Sequence, residues 1–177
     1  MKRYTFRGGT HVCEHKDTAG MKTERLPEPA SVCIPLSQHI GAPAVPVVAV
    51  GDSVRIGQKI GEVGGGLGCP VHASVSGTVK AIVTKRNAMG TPVTNIVIEN
   101  DGLRTQDDGM KPIAKPLSEA TPEEIVAVVR EAGISGLGGA TFPTYAKIQS
   151  AMGKATRVIV NCAECEPYLT ANHRLLL

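Results

Sequence analysis

Residues 45–63 read VPVVAVGDSVRIGQKIGEV, and this stretch decides the fold. Short runs rich in valine and isoleucine alternate in it with glycines, which is typical of short strands joined by tight turns. Similar runs return as VHASVSGTVKAIVT at residues 71–84 and as TPVTNIVIEN at residues 91–100. We therefore predict an all-β module over residues 45–100.

The two halves of this module share one sequence pattern, with a turn at Gly51-Asp52 in the first half and at Gly77 in the second. Neither half is long enough to close a core alone. Together they resemble the pseudo-symmetric halves of a biotinyl/lipoyl-type barrel-sandwich domain. Carriers of that type need a lysine at the hairpin tip, yet no lysine occurs between Lys59 and Lys80. A structural or docking module is therefore favoured over a carrier.

The composition excludes several classes of protein. The net charge of +3 arises from 19 basic and 16 acidic residues that are spread along 177 residues, so nucleic-acid binding is disfavoured. No apolar run approaches the roughly 20 residues that span a bilayer, and the polar start MKRYTFRGG does not resemble a secretion signal. We expect a soluble, cytoplasmic chain that reaches a membrane only through a partner. Five cysteines at irregular spacings indicate reduced thiols.

Three further segments flank the β-module. Residues 1–44 are predicted to form an extended N-terminal arm with little packing, and residues 101–120 a polar linker. Residues 121–177 begin with a helix from about Pro122 to Ala132. Thr121 and Glu124 have the capping-box spacing at its start, and Gly133 supplies its end.

A glycine-rich loop follows that helix, with four glycines within residues 133–139. Pro143 and Thr144 then mark the start of a second helix, and Lys147 lies one turn into it. Backbone without side chains can approach a ligand closely, and amides at a helix start favour an anion such as a phosphate. The loop is neither a dinucleotide fingerprint nor a P-loop. On this pattern alone, a phosphate site and a plain tight connection are equally supported.

A short apolar run, Arg157–Val160, is predicted to be a strand of an α/β fold. It delivers Asn161, and then Glu164 to Pro167, at its carboxyl end, where α/β folds place their ligands. This placement favours a ligand site over a plain connection.

The sequences GLGGATFPTYAK (residues 136–147) and VIVNCAECEPYLTANHRLLL (residues 158–177) resemble the flavin-site segment of the C subunits of Rnf complexes. Those complexes are membrane-bound ferredoxin:NAD oxidoreductases, and the segment is similar to one in the flavin-bearing subunit of respiratory complex I. The stretches RGGTHVCEHK, IPLSQHIGAPAVPVVAVGD and PVHASVSGTVKAI resemble the amino-terminal region of the same family. The resemblance covers nearly the whole chain.

The resemblance implies a mixed fold: an N-terminal barrel-sandwich β-module followed by the start of an α/β flavin-binding domain. It implies electron transfer between NADH and ferredoxin through FMN and iron–sulfur clusters. The implied partners are NAD(H), ferredoxin and the other Rnf subunits, at the cytoplasmic face of the plasma membrane. No catalytic residue or metal ligand is assigned. The implied holders of the FMN phosphate and ribityl chain are Gly136, Gly138, Gly139 and Lys147. Asn161 and Glu164 would line the flavin, and Glu164 and Glu166 would meet the nicotinamide nucleotide.

Two departures limit what is carried over. Leu137 replaces an Arg, and Ala163 an Asp, of the related complex I segment, so no contact is assigned to either position. The chain ends at Leu177 without the Cys-x2-Cys-x2-Cys-x3-Cys-Pro pattern of [4Fe-4S] clusters. We therefore expect an amino-terminal fragment that is inactive alone, with the clusters in the missing carboxyl-terminal part.

Several alternatives stay open. The chain could be a soluble relative that passes electrons to an amino-acid reductase, or a non-catalytic binding or scaffold module. Cys162 and Cys165 have the spacing of a metal or redox pair, but a structural role is favoured because two further ligands are lacking. His11, Cys13 and His15 alternate along the arm, and for the same reason a solvated or partner-facing arm is favoured over a metal site.

Overall fold

The computed structural model describes residue 8 and residues 12–109, 111–137, 141–164 and 166–176. The chain divides into two compact units. One unit is Pro27–Ala155, and the other combines Met1–Leu26 with Thr156–Leu177. Each unit is described by itself below.

Two antiparallel sheets form the β-module of the larger unit. The first contains β1 (Ser31–Pro35), β3 (Ser53–Val54), β6 (Gly77–Arg86) and β7 (Pro92–Asn100), in the order β1-β7-β6-β3. The second contains β2 (Val45–Pro46), β4 (Lys59–Glu62) and β5 (Val71–His72), in the order β2-β4-β5. Strands from both predicted halves of the module thus contribute to each sheet. This arrangement closes the module around one core.

Aliphatic side chains from both sheets and from their connections fill that core. The fully buried members include Leu36, Ile60, Ile96 and Ile98, each at 0% exposure. Such a shared core between two sheets is the arrangement of a sandwich. The predicted barrel-sandwich β-module is confirmed. The remaining buried members of the core are Ile34, Ala44, Val54, Val63, Val71, Ala73 and Val79.

The two predicted halves of the module exchange backbone hydrogen bonds at two places. Gly51 N–H donates to Val79 O at 2.8 Å, and Val79 N–H donates to Asp52 O at 2.8 Å. At the second place, Gly57 N–H donates to Ala73 O at 2.9 Å. Each half therefore satisfies backbone groups of the other, which explains why neither could close alone.

Gly77 is a position where the first sheet tolerates no side chain. Its φ is +149°, and a Cβ added there would lie 1.9 Å from Glu99 O on the neighbouring strand. Gly77 begins β6 and pairs with Asn100, the last residue of β7. The predicted turn glycine is thus required by the close approach of two strands.

The segment directly after β7 packs on the module rather than leaving it. Ser76 Oγ donates to Asp101 Oδ1 at 2.7 Å, and Thr105 N–H donates to Ser76 Oγ at 3.1 Å. Ile56 N–H then donates to Thr105 O at 2.9 Å. The first residues of the predicted linker 101–120 therefore belong to the surface of the β-module.

Two helices complete the larger unit. Helix α1 spans Pro122–Glu131, and Thr121 and Glu124 form the predicted capping box. Gly133 follows with φ +68°, a left-handed conformation that ends the helix as expected. Helix α2 spans Thr144–Ala151, where the second helix was predicted.

A lysine of β4 joins the β-module to α1. Lys59 Nζ lies 2.5 Å from Glu131 Oε1 and 2.7 Å from Glu62 Oε2. Burial alone would lower the pKa of Lys59, but its hydrogen bonds and charge interactions with Glu131 and Glu62 outweigh that effect and raise it. The ammonium is therefore held in its charged form between two carboxylates.

The smaller unit corrects one prediction. Residues 157–160 form no strand, and Val158, Ile159 and Val160 are 91%, 90% and 76% exposed. Among the described residues no neighbouring strand pairs with this run, and an extended segment without a ladder has nothing to stabilise it as a strand. The unit also contains a short helix that was not predicted, α3 (Ala171–Leu176). None of the helices in the described ranges combines the length and apolarity needed to cross a membrane.

Candidate functional site

The glycine loop is pinned at its base by backbone pairing. Ser135 and Pro143 form an antiparallel bridge. Gly136 N–H donates to Phe142 O at 3.0 Å, and Thr144 N–H donates to Ile134 O at 3.0 Å. Gly138 and Gly139 lie outside the described residues. The loop thus leaves and returns at fixed points, and its return leads directly into α2.

Lys147 lies beside this base. Its Nζ lies 6.0 Å from the centroid of the Phe142 ring, and no carboxylate pairs with it in the described ranges. Helix α2 begins after Pro143 without a side-chain cap. The Thr144 amide is taken by Ile134 O, and the remaining amides of the first turn have no side-chain cap. These amides and an ammonium without a carboxylate partner in the described ranges form a combination that favours a phosphate.

Among the described residues, no contact requires a glycine at position 136. Its φ lies outside the left-handed region, and a Cβ added there would lie 3.5 Å from Lys147 Nζ and 3.8 Å from Phe142 O, which are ordinary contacts. The added methyl group would occupy space next to the ammonium. A glycine here therefore keeps that space open, which the close approach of a ligand would require.

Cys69 and His39, to which the sequence assigned no role, support the start of the loop. His39 Nε2 accepts a hydrogen bond from Cys69 N–H at 3.0 Å, and Cys69 Sγ donates to Ile134 O at 3.8 Å. Burial raises the pKa of the Cys69 thiol, against a smaller lowering by the charge of Arg130. The group is therefore a neutral packing thiol and not a nucleophile.

A cleft of about 530 Å³ lies elsewhere in the same unit, between the β-module and the two helices. Glu62, Arg130, Tyr145 and Met152 are among its lining residues, and Arg130 lies over the Tyr145 ring at 5.3 Å. None of the site residues expected from the sequence lines this cleft. It is therefore separate from the glycine loop.

The acidic turn belongs to the smaller unit, where its polar groups are mostly engaged. Asn161 Oδ1 accepts from Ala163 N–H at 3.0 Å, and Glu164 Oε1 accepts from His173 N–H, in the first turn of α3, at 3.1 Å. Glu164 Oε2 is buried and has no hydrogen-bond partner in the described part of the chain. The Glu166 side chain is exposed. A buried carboxylate oxygen without a donor is costly, so this oxygen is an open acceptor.

The sequence missed the residues that hold this turn. Lys16 Nζ donates to Glu166 O at 2.9 Å and to Leu169 O at 2.6 Å. The His15 ring stacks on the Tyr168 ring, with centroids 5.0 Å apart. These partners are about 150 residues apart in the chain, so no local pattern points to the pairing. The available signal was the resemblance of RGGTHVCEHK to the same family as the turn.

The expected site residues thus fall into two sets. Gly136 and Lys147 lie in the larger unit, and Asn161, Glu164 and Glu166 lie in the smaller one. The contacts described above for each set are made within its own unit. The roles given to them by the resemblance stay predictions.

No group of three or more His, Cys, Asp or Glu side chains in the described ranges is arranged to hold a metal ion. Cys13 and Cys162 are free thiols. His11 and Cys165, which belong to the two metal hypotheses, lie outside the described residues. Neither hypothesis is tested.

Comparison with known proteins identifies both parts of the chain. The family model of the RnfC barrel-sandwich hybrid domain matches residues 4–103, and that of the Nuo51 FMN-binding domain matches residues 129–177. The second match begins within α1 and includes both the glycine loop and the acidic turn.

Three curated relatives show the extent of the similarity. The C subunit of the Na(+)-translocating ferredoxin:NAD(+) oxidoreductase complex of Acetobacterium woodii is 46% identical over 99% of this chain and 40% of its own length. The proton-translocating counterpart of Clostridium ljungdahlii is 42% identical over 98% of this chain and 38% of its own length. The C subunit of the ion-translocating oxidoreductase complex of Rhodobacter capsulatus is 42% identical over 99% of this chain and 34% of its own length.

The chain therefore spans at most two-fifths of the length of these three relatives. The barrel-sandwich model alone covers more than half of the chain, and the β-module has the two-sheet architecture that this model describes. On these grounds the chain belongs to the RnfC family.

Proposed function

We propose that this chain is an amino-terminal part of the C subunit of an ion-translocating ferredoxin:NAD oxidoreductase, and that its glycine loop binds the phosphate of FMN. The observation that carries the proposal is the position of Lys147. Its ammonium, which no carboxylate of the described ranges pairs with, lies beside Gly136 and the start of α2, where no side chain caps the helix. This segment matches an FMN-binding domain. The part of the proposal that concerns ferredoxin and NAD rests on the names of two relatives.

The donor set fits the anionic end of FMN. A phosphate monoester carries close to two negative charges at neutral pH, and it accepts hydrogen bonds on three oxygens. Lys147 supplies a point charge, the first turn of α2 supplies amide donors, and the absence of a side chain at Gly136 leaves room between them. Gly138 and Gly139 are proposed to contribute backbone donors to the same phosphate and ribityl chain.

When bound, FMN exchanges a hydride with NAD(H) and single electrons with iron–sulfur clusters. The residues of this chain are proposed to bind the flavin and the nicotinamide nucleotide and to orient them. Glu164 Oε2, buried and without a donor, is proposed to accept a hydrogen bond from the flavin or the nicotinamide nucleotide. The Asn161 side-chain amide has no acceptor among the described residues and is proposed to donate to the flavin. The exposed Glu166 is proposed to meet the nicotinamide nucleotide.

The β-module is proposed to dock other subunits of the complex. Its β4–β5 connection, residues 63–70, contains no lysine, so the module offers no amine there for biotin or lipoate. The partners proposed for the complete protein are ferredoxin, NAD(H) and the other Rnf subunits, at the cytoplasmic face of the membrane. Iron–sulfur clusters are proposed to be carried by other parts of the protein.

The experiment is a titration of the purified chain with FMN, followed by flavin fluorescence. Saturable quenching is expected, because protein groups in contact with the isoalloxazine ring would deactivate its excited state. The absence of any quenching at high micromolar protein would remove FMN binding from this chain. Nicotinamide binding is tested separately, by titration of the FMN-loaded chain with NADH under anaerobic conditions.

A further inference from the structure

We infer that the arm segment Glu14–Met21 is a positioning element for the acidic turn Glu164–Thr170, and that Lys16 is its principal residue. The inference deepens the proposed function, because it rests on this turn being part of the nucleotide site. Both segments lie in the smaller unit. The arm would then shape the site, whereas the sequence favoured a solvated or partner-facing arm.

Lys16 makes the central contact. Its half-buried side chain directs Nζ to Glu166 O at 2.9 Å and to Leu169 O at 2.6 Å. One ammonium therefore bridges two carbonyl groups that are three residues apart. Hydrogen bonds from a charged donor are stronger than neutral ones, so this bridge fixes the curvature of the turn.

An aromatic pair holds the same turn from the arm side. The His15 and Tyr168 rings stack 5.0 Å apart with an interplanar angle of 10°, and Tyr168 N–H donates to Glu14 O at 2.8 Å. Both ring residues have left-handed backbones, with φ +47° for His15 and +67° for Tyr168. Non-glycine residues keep such conformations only where the surroundings impose them, and here the arm and the turn impose them on each other.

The arm also fixes the helix that follows the turn. Arg174 Nη2 donates to Ala19 O at 2.7 Å and also to Met21 O. Arg174 lies in α3, whose first turn is capped by Glu164. The candidate ligand Glu164 is thereby connected through α3 to the arm, while Glu166 is connected to it through Lys16. Release of the arm would free both carboxylates from their present orientation.

The test compares Lys16→Met with Lys16→Arg in the 177-residue chain. Lys22→Met is the matched control, because Lys22 is an exposed lysine of the same arm without a hydrogen bond or ion pair in the described ranges. The first readout is hydrogen exchange of the Tyr168 amide without nucleotide. We expect Lys16→Met to speed this exchange about tenfold or more, Lys16→Arg to restore most of the protection, and Lys22→Met to behave as the wild type.

The second readout is the dissociation constant of FMN. Lys16→Met is expected to raise it about tenfold, with recovery in Lys16→Arg. Unchanged hydrogen exchange of the backbone amides of β6 and β7 establishes that the variant is folded. Unchanged Tyr168 exchange in Lys16→Met would overturn the inference, as would faster exchange with unaltered FMN affinity. If the wild-type chain binds no FMN, the proposed function fails, and the exchange comparison still decides whether Lys16 holds the turn.

Discussion

Lys147 Nζ lies 6.0 Å from the centroid of the Phe142 ring, on the return of the glycine loop. An aromatic face attracts an ammonium without neutralising it. The ring therefore places the charge beside the loop while leaving it free to bind an anion. This pair is the physical basis for treating the loop as a phosphate site and not as a plain connection.

Gly136→Ala tests whether the loop is shaped for a ligand. The added methyl group has room in the structure, so the free energy of unfolding should stay within about 1 kcal/mol of the wild type, as for other compatible Gly-to-Ala changes. FMN affinity should fall about tenfold, because the methyl group would occupy space next to the ammonium. Chemical denaturation and an FMN titration measure the two effects. An unchanged dissociation constant would mean that nothing approaches this backbone.

Gly77→Ala tests the closure of the β-module. A Cβ at this position would lie 1.9 Å from Glu99 O, and the φ of +149° is unfavourable for alanine. We expect a loss of about 2 kcal/mol or more in the free energy of unfolding. Gly64→Ala is the matched control, since a Cβ there would meet nothing within 4 Å, and it should change stability by less than about 0.5 kcal/mol. Equal stability of the two variants would contradict the described pairing of β6 and β7.

His72 should make stability depend on pH. Burial, the largest influence, lowers the pKa of His72 below its ordinary value of 6.5. The unfolded chain then binds the proton more readily than the folded one. Stability is therefore fully present above about pH 6.5 and falls as the pH drops towards the lower folded-state pKa. Denaturation midpoints measured from about pH 8 to about pH 5.5 should decline. His72→Gln should flatten that decline, and an equally steep profile in the variant would assign the effect to other groups.

Local patterns in the sequence predicted the β-module and the two helices of the larger unit. The glycine-punctuated apolar runs predicted an all-β module, and its resemblance to a biotinyl/lipoyl-type domain implied the barrel-sandwich fold. Of its predicted turn positions, Gly77 is required by its close approach to Glu99. The capping box at Thr121 and the stop at Gly133 predicted helix α1, observed as Pro122–Glu131. Pro143 and Thr144 marked the start of α2. Short-range signals decide the ends of the two helices, whereas the sheets of the β-module also need pairing between distant residues, such as Ser31 with Glu99.

Features that depend on distant partners were missed or misread. The apolar run 157–160 was predicted to be a strand, but a strand needs a neighbour, and sequence alone cannot supply one. Lys16 and the carbonyl groups that it binds are separated by 150 and 153 residues, so no periodicity reveals them. Helix α3 is six residues long, too short for a clear helical pattern. Local patterns singled out the glycine loop and the acidic turn as candidates for ligand binding. The assignment of their residues to FMN and to the nicotinamide nucleotide came from the family resemblance and stays a prediction.

The central claim, that Lys147 binds the phosphate of FMN, is tested most directly by comparing FMN with riboflavin, which lacks the phosphate. The wild-type chain should bind FMN more tightly than riboflavin. Lys147→Met should weaken FMN binding by roughly 10- to 100-fold, the usual range for losing a charged hydrogen bond, and leave riboflavin binding unchanged. Lys154→Met, at an exposed lysine just after α2, should alter neither. Equal loss of FMN and riboflavin affinity in Lys147→Met, or no loss of either, would contradict the account.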